Sequence, residues 1–184
     1  MISLIYSDRM RCEYCDIIEE QRGILYENDH LVIAVRDKVF TPGQITVFPK
    51  KHQPILEMVS DEILKKCSVV ANKVSIAVFE SMGSKGTNII IKNGLGAGQN
   101  VPHFGIEVVP RQEEDQLQLS WEGKPMAEDE IDLTFQRLGE AVKNLDKVKE
   151  DSDDEINGKS KKENKKESSK EKDNYLKKSL RRIP

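Results

Sequence analysis

A long amphipathic helix pattern lies between two groups of β-rich segments, and this order restricts the fold class. Ser60 followed by two acids predicts an N-terminal cap. Apolar residues then recur at spacings of three and four, which predicts a helix over about residues 61–81 that ends before Gly83. The members of this apolar stripe, which includes a core cysteine, are Ile63, Cys67, Val70, Val74 and Ala77.

Short β-rich runs flank this helix on both sides. The runs ILYE, LVIAVR and QITVFP occupy residues 24–49, with turn-forming residues between them. After the helix come TNIIIK and HFGIEVV within residues 87–109, and QLQLSW from Gln116 is a candidate edge strand. The order predicts an α+β fold, in which the long helix packs on an antiparallel sheet of about five strands.

A C-terminal extension, residues 112–148, follows the last of these strands. Ile131, Phe135 and Leu138 belong to a three-and-four repeat that predicts an amphipathic helix from Glu128 to about Lys147. We expect this helix to pack on its own sheet, and a second subunit is the alternative.

The tail, residues 149–184, has 12 Lys and Arg against 9 Asp and Glu and almost no apolar residues until its end. Such a composition predicts disorder. In the last segment, residues 174–184, apolar Leu176, Leu180 and Ile183 alternate with basic residues. This short amphipathic basic motif predicts docking to a protein partner, and a frayed terminal helix is the alternative.

Charge and hydropathy restrict the partners and the compartment. Residues 1–148 carry 17 Lys and Arg against 23 Asp and Glu, a net charge of −6, so we expect no DNA binding. RNA binding by the basic tail stays open as an alternative.

No apolar run approaches the roughly 18 residues of a membrane span, and the N-terminus has no signal-peptide pattern. We therefore expect the chain to bind no membrane. Because the number of cysteines is also odd, we expect a cytoplasmic protein rather than a disulfide-bonded one.

Four residues form a pattern typical of metal binding. Cys12 and Cys15 have the C-x-x-C spacing that grips one tetrahedral ion, although redox pairs share it. His52 and His103 follow β-rich or Gly-rich segments, so a Cys₂His₂ site would use both. The spacing alone equally allows four buried or hydrogen-bonded residues without a metal.

Alternate residues of the last β-run are expected to face a pocket. His103, Gly105 and Glu107 share one side of an extended strand, and the residues between them point to the core. The glycines of the preceding loop NGLGAGQN allow backbone N–H groups to approach a phosphate.

The segment NGLGAGQNVPHFGIEVVPR resembles the signature of the histidine triad (HIT) superfamily, in which three histidines alternate along one strand. The order of CEYCDII, the run ending in PKKH, the long helix and NG-x-x-AGQ-x-VPH is similar to that family over about residues 10–111. The resemblance implies a HIT-like domain over residues 1–111. It also implies a homodimer that extends the two sheets across a two-fold axis.

The resemblance further implies a structural zinc ion. Some HIT proteins hold zinc with a C-x-x-C pair, the histidine closing P-K-K-H and the first triad histidine, which match Cys12, Cys15, His52 and His103. Whether the metal is zinc or iron stays open.

The resemblance also implies a nucleotide site. The residues that match the family pattern on the side that binds the phosphate are Asn93, Gly98, Gln99 and Asn100. The ribose-binding acid falls at Arg36 in an ungapped alignment or at Asp37 after a one-residue deletion, and Asp37 is our candidate.

The catalytic positions depart from the family. The nucleophilic middle histidine corresponds to Gly105, and the third histidine to Glu107, whose charge opposes a bound phosphate. We therefore expect no catalytic residue and interpret the chain as a catalytically degenerate HIT protein. In this hypothesis it is a zinc-stabilised binding or scaffolding module with weak purine nucleotide binding.

The alternative is an active nucleotidyl hydrolase or transferase on nucleoside phosphoramidates or dinucleoside polyphosphates. It would use non-histidine residues, such as Glu107 as a general base acting on water.

Overall fold

The computed structural model describes residues 12–119 and 121–143, which divide into a first unit, residues 12–117, and a second unit from residue 118 on. Our predictions for residues 1–11 and for the tail lie outside the described residues.

The first unit contains a five-stranded antiparallel sheet with strand order β1-β2-β3-β5-β4. Its strands are β1 (Ile24–Glu27), β2 (Leu31–Ala34), β3 (Ile45–Pro49), β4 (Gly86–Ile91) and β5 (Ile106–Arg111). Helix α1 spans Glu13–Glu20, helix α2 spans Asp61–Met82, and short 3₁₀ turns lie at Leu56–Met58 and Leu95–Ala97. The predicted α+β class is confirmed.

Helix α2 begins and ends where the sequence predicts. Ser60 precedes it with extended backbone, and Gly83 ends it in the left-handed conformation, with φ of +61°. Cys67 is fully buried, as expected. Ala77 is exposed and Val78 is buried instead, because Ala77 lies about 80° around the helix from Cys67.

Two apolar clusters cover the two faces of the sheet. The α2 cluster includes Cys67, Val74, Val78, Val47, Phe104, Ile106 and Val108. The α1 cluster includes Cys12, Tyr14, Ile17, Val32, Ala34, Phe48 and Val101. Because side chains alternate along a strand, neighbouring residues of β2 and β3 belong to opposite clusters. The face covered by α1 carries the site described below.

Strand β5 begins at Ile106, three residues later than the predicted run. The backbone N–H of Phe104 donates to the carbonyl oxygen of Gln53 at 2.6 Å, and that of His103 donates to Val101 at 2.8 Å. These bonds tie residues 103–105 to neighbouring loops, so they form no ladder with a strand.

The expected edge strand at residues 116–121 is not formed by the residues described there. The guanidinium of Arg111 instead binds the Asp115 carboxylate and the carbonyl oxygen of Leu117, which turns the chain.

The second unit contains helix α3 (Glu128–Val142). Its apolar stripe, which includes Ile131, Phe135 and Leu138, is half or more exposed, so the helix does not bury this stripe within its own unit. Among the described residues, none of the helices is both long and apolar enough to cross a bilayer.

Candidate metal centre and adjoining pocket

Four side chains from three parts of the chain meet on the α1 face of the sheet. Cys12 immediately precedes α1 and Cys15 lies in its first turn, so their three-residue spacing places both thiols on one side. His52 follows β3, and His103 precedes β5. Because β3 and β5 are neighbouring antiparallel strands, the end of the first lies beside the beginning of the second.

The ligand atoms of these four residues all lie within 4.8 Å of one another. Nδ1 of His103 is 3.4 Å from Sγ of Cys12 and 3.8 Å from Sγ of Cys15, and Nδ1 of His52 is 3.3 Å from Sγ of Cys15. A tetrahedral ion with bonds of about 2.3 Å to sulfur and about 2.0 Å to nitrogen separates its ligand atoms by about 3.5 Å. The four predicted residues could therefore hold a metal ion.

The ring of His103 is oriented by the backbone. Its Nε2 lies 2.9 Å from the carbonyl oxygen of Pro49, so Nε2 carries the proton and Nδ1 is left for the metal. The ring is buried against Tyr14 and Phe48. Burial lowers the pKa of His103 to about 4, which keeps the imidazole in the neutral form that binds metals.

The thiol of Cys15 needs a cation to ionise. Burial, followed by the neighbouring Cys12, raises the pKa of Cys15 to about 12 in the absence of a metal. A bound divalent ion would favour the thiolate form over the thiol, because its charge stabilises two adjacent thiolates.

A small cavity adjoins this cluster. Its volume is about 20 Å³, which is room for one water molecule. The residues that line it are Tyr14, Lys92, Gln99, Asn100, Val101, His103, Gly105 and Glu107. Alternate residues 103, 105 and 107 thus share a pocket, but sites for small-molecule ligands usually enclose about 300 Å³ or more.

Tyr14 fills the space above Gly105. A Cβ atom built on Gly105 would lie 2.8 Å from Cε2 and 3.3 Å from Oη of Tyr14, and 3.3 Å from Cγ2 of Thr46. The Tyr14 ring stacks on Phe48 with centroids 4.6 Å apart, and burial raises the pKa of its hydroxyl. Position 105 therefore has no room for any side chain while Tyr14 keeps this place.

Glu107 is neutralised inside the protein by two cations. Its Oε1 accepts a hydrogen bond from Nη1 of Arg36 at 3.2 Å, and its Oε2 lies 3.0 Å from Nζ of Lys92 without hydrogen-bond geometry. The side chains of Arg36 and Glu107 are only 5% and 6% exposed. The carboxylate at this position therefore belongs to a buried ion pair.

Glu13 completes the charge network from α1. Its two carboxylate oxygens accept from Nε and Nη2 of Arg36 at 2.8 and 2.7 Å, a bidentate arrangement. The guanidinium also lies 5.3 Å from the centre of the Tyr14 ring. Two consecutive residues of α1 thus contact the residues of the pocket.

Two predicted phosphate-side residues use their side chains to brace the loop. Oε1 of Gln99 accepts from the backbone N–H of Gly94 at 2.8 Å, and its Nε2 donates to the carbonyl oxygen of Pro54 at 2.7 Å. Oδ1 of Asn93 accepts from the backbone N–H of Leu56 at 3.1 Å.

The remaining predicted nucleotide residues lie at or near the surface. Gly98 ends a 3₁₀ turn with φ of +75°, and Asn100 is exposed at the rim of the cavity. Asp37 is exposed and pairs with Arg22 at 3.0 Å, whereas its neighbour Arg36 is buried and pairs with Glu107. A nucleotide-binding role for Asp37 stays a prediction.

Sequence reasoning missed Glu13, Tyr14 and Lys92. Glu13 and Tyr14 could have been found from the sequence, because they lie between two metal-type cysteines. Both residues must therefore be close to any metal that the cysteines bind. Lys92 carries no comparable signal, because only the pairing of β4 with β5 brings it to Glu107.

The fold and the site together define a small α+β domain with a Cys₂His₂ cluster beside a pocket at the start of a central strand. The family model described as HIT domain matches residues 18–114, slightly more than half of the chain. The chain belongs to the HIT family.

Curated relatives share about a third of the aligned residues. Adenylylsulfatase HINT3 of Arabidopsis thaliana is 30% identical over 108 residues, which cover 58% of this chain and 55% of that protein. An uncharacterized HIT-like protein of Methanocaldococcus jannaschii is 32% identical over 107 residues, which cover 56% of this chain and 81% of that protein. The chain thus spans about half the length of the first relative and most of the second.

Solved structures of similar proteins share the fold. A hypothetical protein from Leishmania major matches with a TM-score of 0.61 and 27% identity, covering 73% of this chain and 98% of that one. A Zn-bound histidine triad family protein from Mycobacterium smegmatis matches with a TM-score of 0.54 and 28% identity, covering 72% and 98%.

Proposed function

We propose that this chain is a catalytically degenerate HIT protein that acts as a zinc-stabilised binding or scaffolding module. The observation that carries the proposal is Gly105 at the position of the nucleophile, with the Tyr14 ring packed where a side chain would extend. Without a nucleophile, the covalent nucleotidyl intermediate of the family cannot form.

Zinc is the proposed metal. Two thiolates and two imidazoles form a donor set that suits zinc, and four protein ligands would make a closed structural site. The zinc-bound neighbour from Mycobacterium smegmatis supports this choice. The ion would cross-link the start of α1 to the ends of β3 and β5. Reduced cysteine ligands are typical of the cytoplasm, which is the compartment we propose.

Nucleotide binding is proposed to be weak. A cavity of about 20 Å³ is far smaller than a purine nucleotide, so a ligand must displace Tyr14 or bind outside the pocket. Glu107 also places a carboxylate where the family binds phosphate, which opposes an anionic ligand.

The rival function is hydrolysis or transfer with Glu107 as a general base. Arg36 and Lys92 already pair with the two oxygens of this carboxylate, whereas a general base needs an oxygen within hydrogen-bond reach of the attacking water. The structure therefore favours the degenerate hypothesis over this rival.

Turnover assays distinguish the two functions. We expect the purified, metal-loaded protein to release no AMP from adenosine phosphoramidate or from dinucleoside polyphosphates. Isothermal titration with AMP is expected to show weak binding or none. Turnover that disappears in Glu107→Gln and persists in the surface control Glu62→Gln would establish the rival enzyme.

A homodimer formed through β4 is the proposed assembly. Among the described strands, β4 and β1 lie at the two edges of the sheet. Ile89 and Ile91 lie on one face of β4 and are 49% and 40% exposed. An apolar edge strand of this kind favours pairing with a second copy across a two-fold axis.

The segment 174–184, outside the described residues, is the proposed docking motif for a protein partner. Its apolar residues at helical spacing are separated by basic ones, so an acidic groove with an apolar floor is the expected receptor surface. RNA is the alternative ligand. A chain that lacks residues 174–184 is expected to keep its melting temperature and to lose this partner in a pull-down.

A further inference from the structure

We propose that the metal centre controls whether the pocket is closed: metal binding holds Tyr14 against Gly105 and Glu13 against Arg36, and metal loss releases both residues and opens the pocket. This inference rests on the metal half of the proposed function. It adds a conformational role for two residues of this chain that are not themselves metal ligands.

Chain connectivity couples the two sites. Glu13 and Tyr14 are the two residues between the candidate ligands Cys12 and Cys15. When both thiolates bind one ion, the backbone between them is fixed at both ends. Tyr14 can then leave Gly105 only by rotating its side chain out of the stack on Phe48 or by a rebuilding of the helix turn that contains both ligands.

Helix α1 has few other anchors. It is eight residues long, and helices of this length are marginal without tertiary contacts. Cys12 makes no side-chain cap bond within the described chain, and the buried residues of α1 are Tyr14 and Ile17. Loss of the metal therefore removes a large share of what holds the helix against the sheet.

The groups beneath α1 favour hydration once it is released. Arg36, Glu107 and Lys92 are charged, and the first two are almost fully buried. Removing charges from water is costly, and Glu13 offsets this cost for Arg36 through its bidentate contact. Water admitted to an open pocket would solvate all three groups.

The coupling predicts that a side chain at position 105 weakens metal binding. In the metal-bound form the Cβ of Gly105→Ala meets Tyr14 at 2.8 Å, whereas in an open metal-free form the ring has moved away. The substitution therefore penalises only the bound state, and zinc affinity should fall roughly tenfold or more. If the pocket stayed closed without metal, both states would be penalised equally and the affinity would not change.

The experiment is a competition titration of Zn²⁺ against a chromophoric chelator on the full chain. Gly105→Ala should bind Zn²⁺ more weakly, and the matched control Gly96→Ala, whose Cβ meets nothing within 4 Å, should bind as wild type. In a Tyr14→Ala background, adding Gly105→Ala should leave the affinity unchanged. Equal affinity of Gly105→Ala and wild type would overturn the inference alone, whereas a wild type that binds no Zn²⁺ would overturn the metal half of the proposed function as well.

Footprinting of the wild type keeps the inference testable if a variant fails to fold. With hydroxyl radicals, Tyr14, 4% exposed, should be protected with Zn²⁺ and labelled after chelation, while Tyr26, 52% exposed, should be labelled in both states. Amide exchange in α2 should stay slow throughout. Protected Tyr14 in the chelated protein, or global loss of protection in α2, would contradict a local opening.

Discussion

The carboxylate of Glu107 lies 3.2 Å from the guanidinium of Arg36, and both side chains are almost fully buried. The HIT resemblance aligns Glu107 with the third triad histidine. In the ungapped alignment it places Arg36 at the ribose-binding acid, whereas a one-residue deletion places Asp37 there. In the ungapped alignment, the two residues that depart from the family pattern therefore form an ion pair with each other.

The Arg36–Glu107 pair should be essential for stability. We expect Glu107→Ala to lower the free energy of unfolding by about 3 kcal/mol, because it leaves a buried guanidinium with one partner fewer. Urea denaturation followed by circular dichroism measures this change. The control Glu62→Ala removes an exposed pair with Lys66 and should have little effect. Equal effects of the two substitutions would contradict a buried pair.

Removing one metal ligand should lower metal content and stability together. We expect Cys12→Ser to reduce bound zinc and the melting temperature, and we expect chelator to lower the melting temperature of the wild type but not that of Cys12→Ser. The control Cys67→Ser places a hydroxyl in the α2 core, so it should lower the melting temperature and leave the zinc content unchanged. Elemental analysis and thermal melts decide the outcome, and a wild type whose melting is insensitive to chelator would exclude a structural ion.

Restoring two histidines should not restore activity by itself. The double variant Gly105→His/Glu107→His is expected to be inactive on adenosine phosphoramidate. It should also be less stable by more than about 3 kcal/mol, because it removes the buried Glu107 carboxylate and because the new imidazole at position 105 overlaps the Tyr14 ring. In a Tyr14→Ala background this overlap is absent, so the same two histidines should lower stability by less than they do in the wild type. Turnover by the double variant with Tyr14 intact would show that the ring is no obstacle.

A charge on the exposed face of β4 should prevent dimerisation. We expect Ile89→Lys to sediment as a monomer at concentrations at which the wild type is a dimer, since like charges would meet across the two-fold axis. Analytical ultracentrifugation measures the mass. The matched control is Leu25→Lys. Leu25 lies on β1, the opposite edge strand, and is 59% exposed, so this variant should stay dimeric. Dissociation by both variants or by neither would argue against the β4 interface.

Several features of the site followed from local patterns. The period of helix α2 and the alternation along β5 come from backbone geometry, which holds wherever a segment is placed. The spacing of Cys12 and Cys15 and the two histidines beside strand ends predicted a cluster whose ligand atoms do converge. The identity of residue 105 as glycine already excluded the family's nucleophile, since its side chain is a single hydrogen.

Other features depended on contacts between residues far apart in the chain. Whether Arg36 or Asp37 points inward could not be read from adjacent positions, because burial depends on which face of the sheet the neighbouring elements cover. The contact of Tyr14 with Gly105 joins residues 91 positions apart, and no periodicity encodes it.

The sequence by itself determined the α+β class, the long helix, the four metal-type residues and the glycine at position 105, because these depend on residue identity and short-range spacing. Only the tertiary structure decided that α1 covers the pocket, that Glu107 pairs with Arg36 and Lys92, and that the remaining cavity holds about one water molecule. The physical reason is that steric exclusion and charge pairing act through space, and chain folding alone sets those distances.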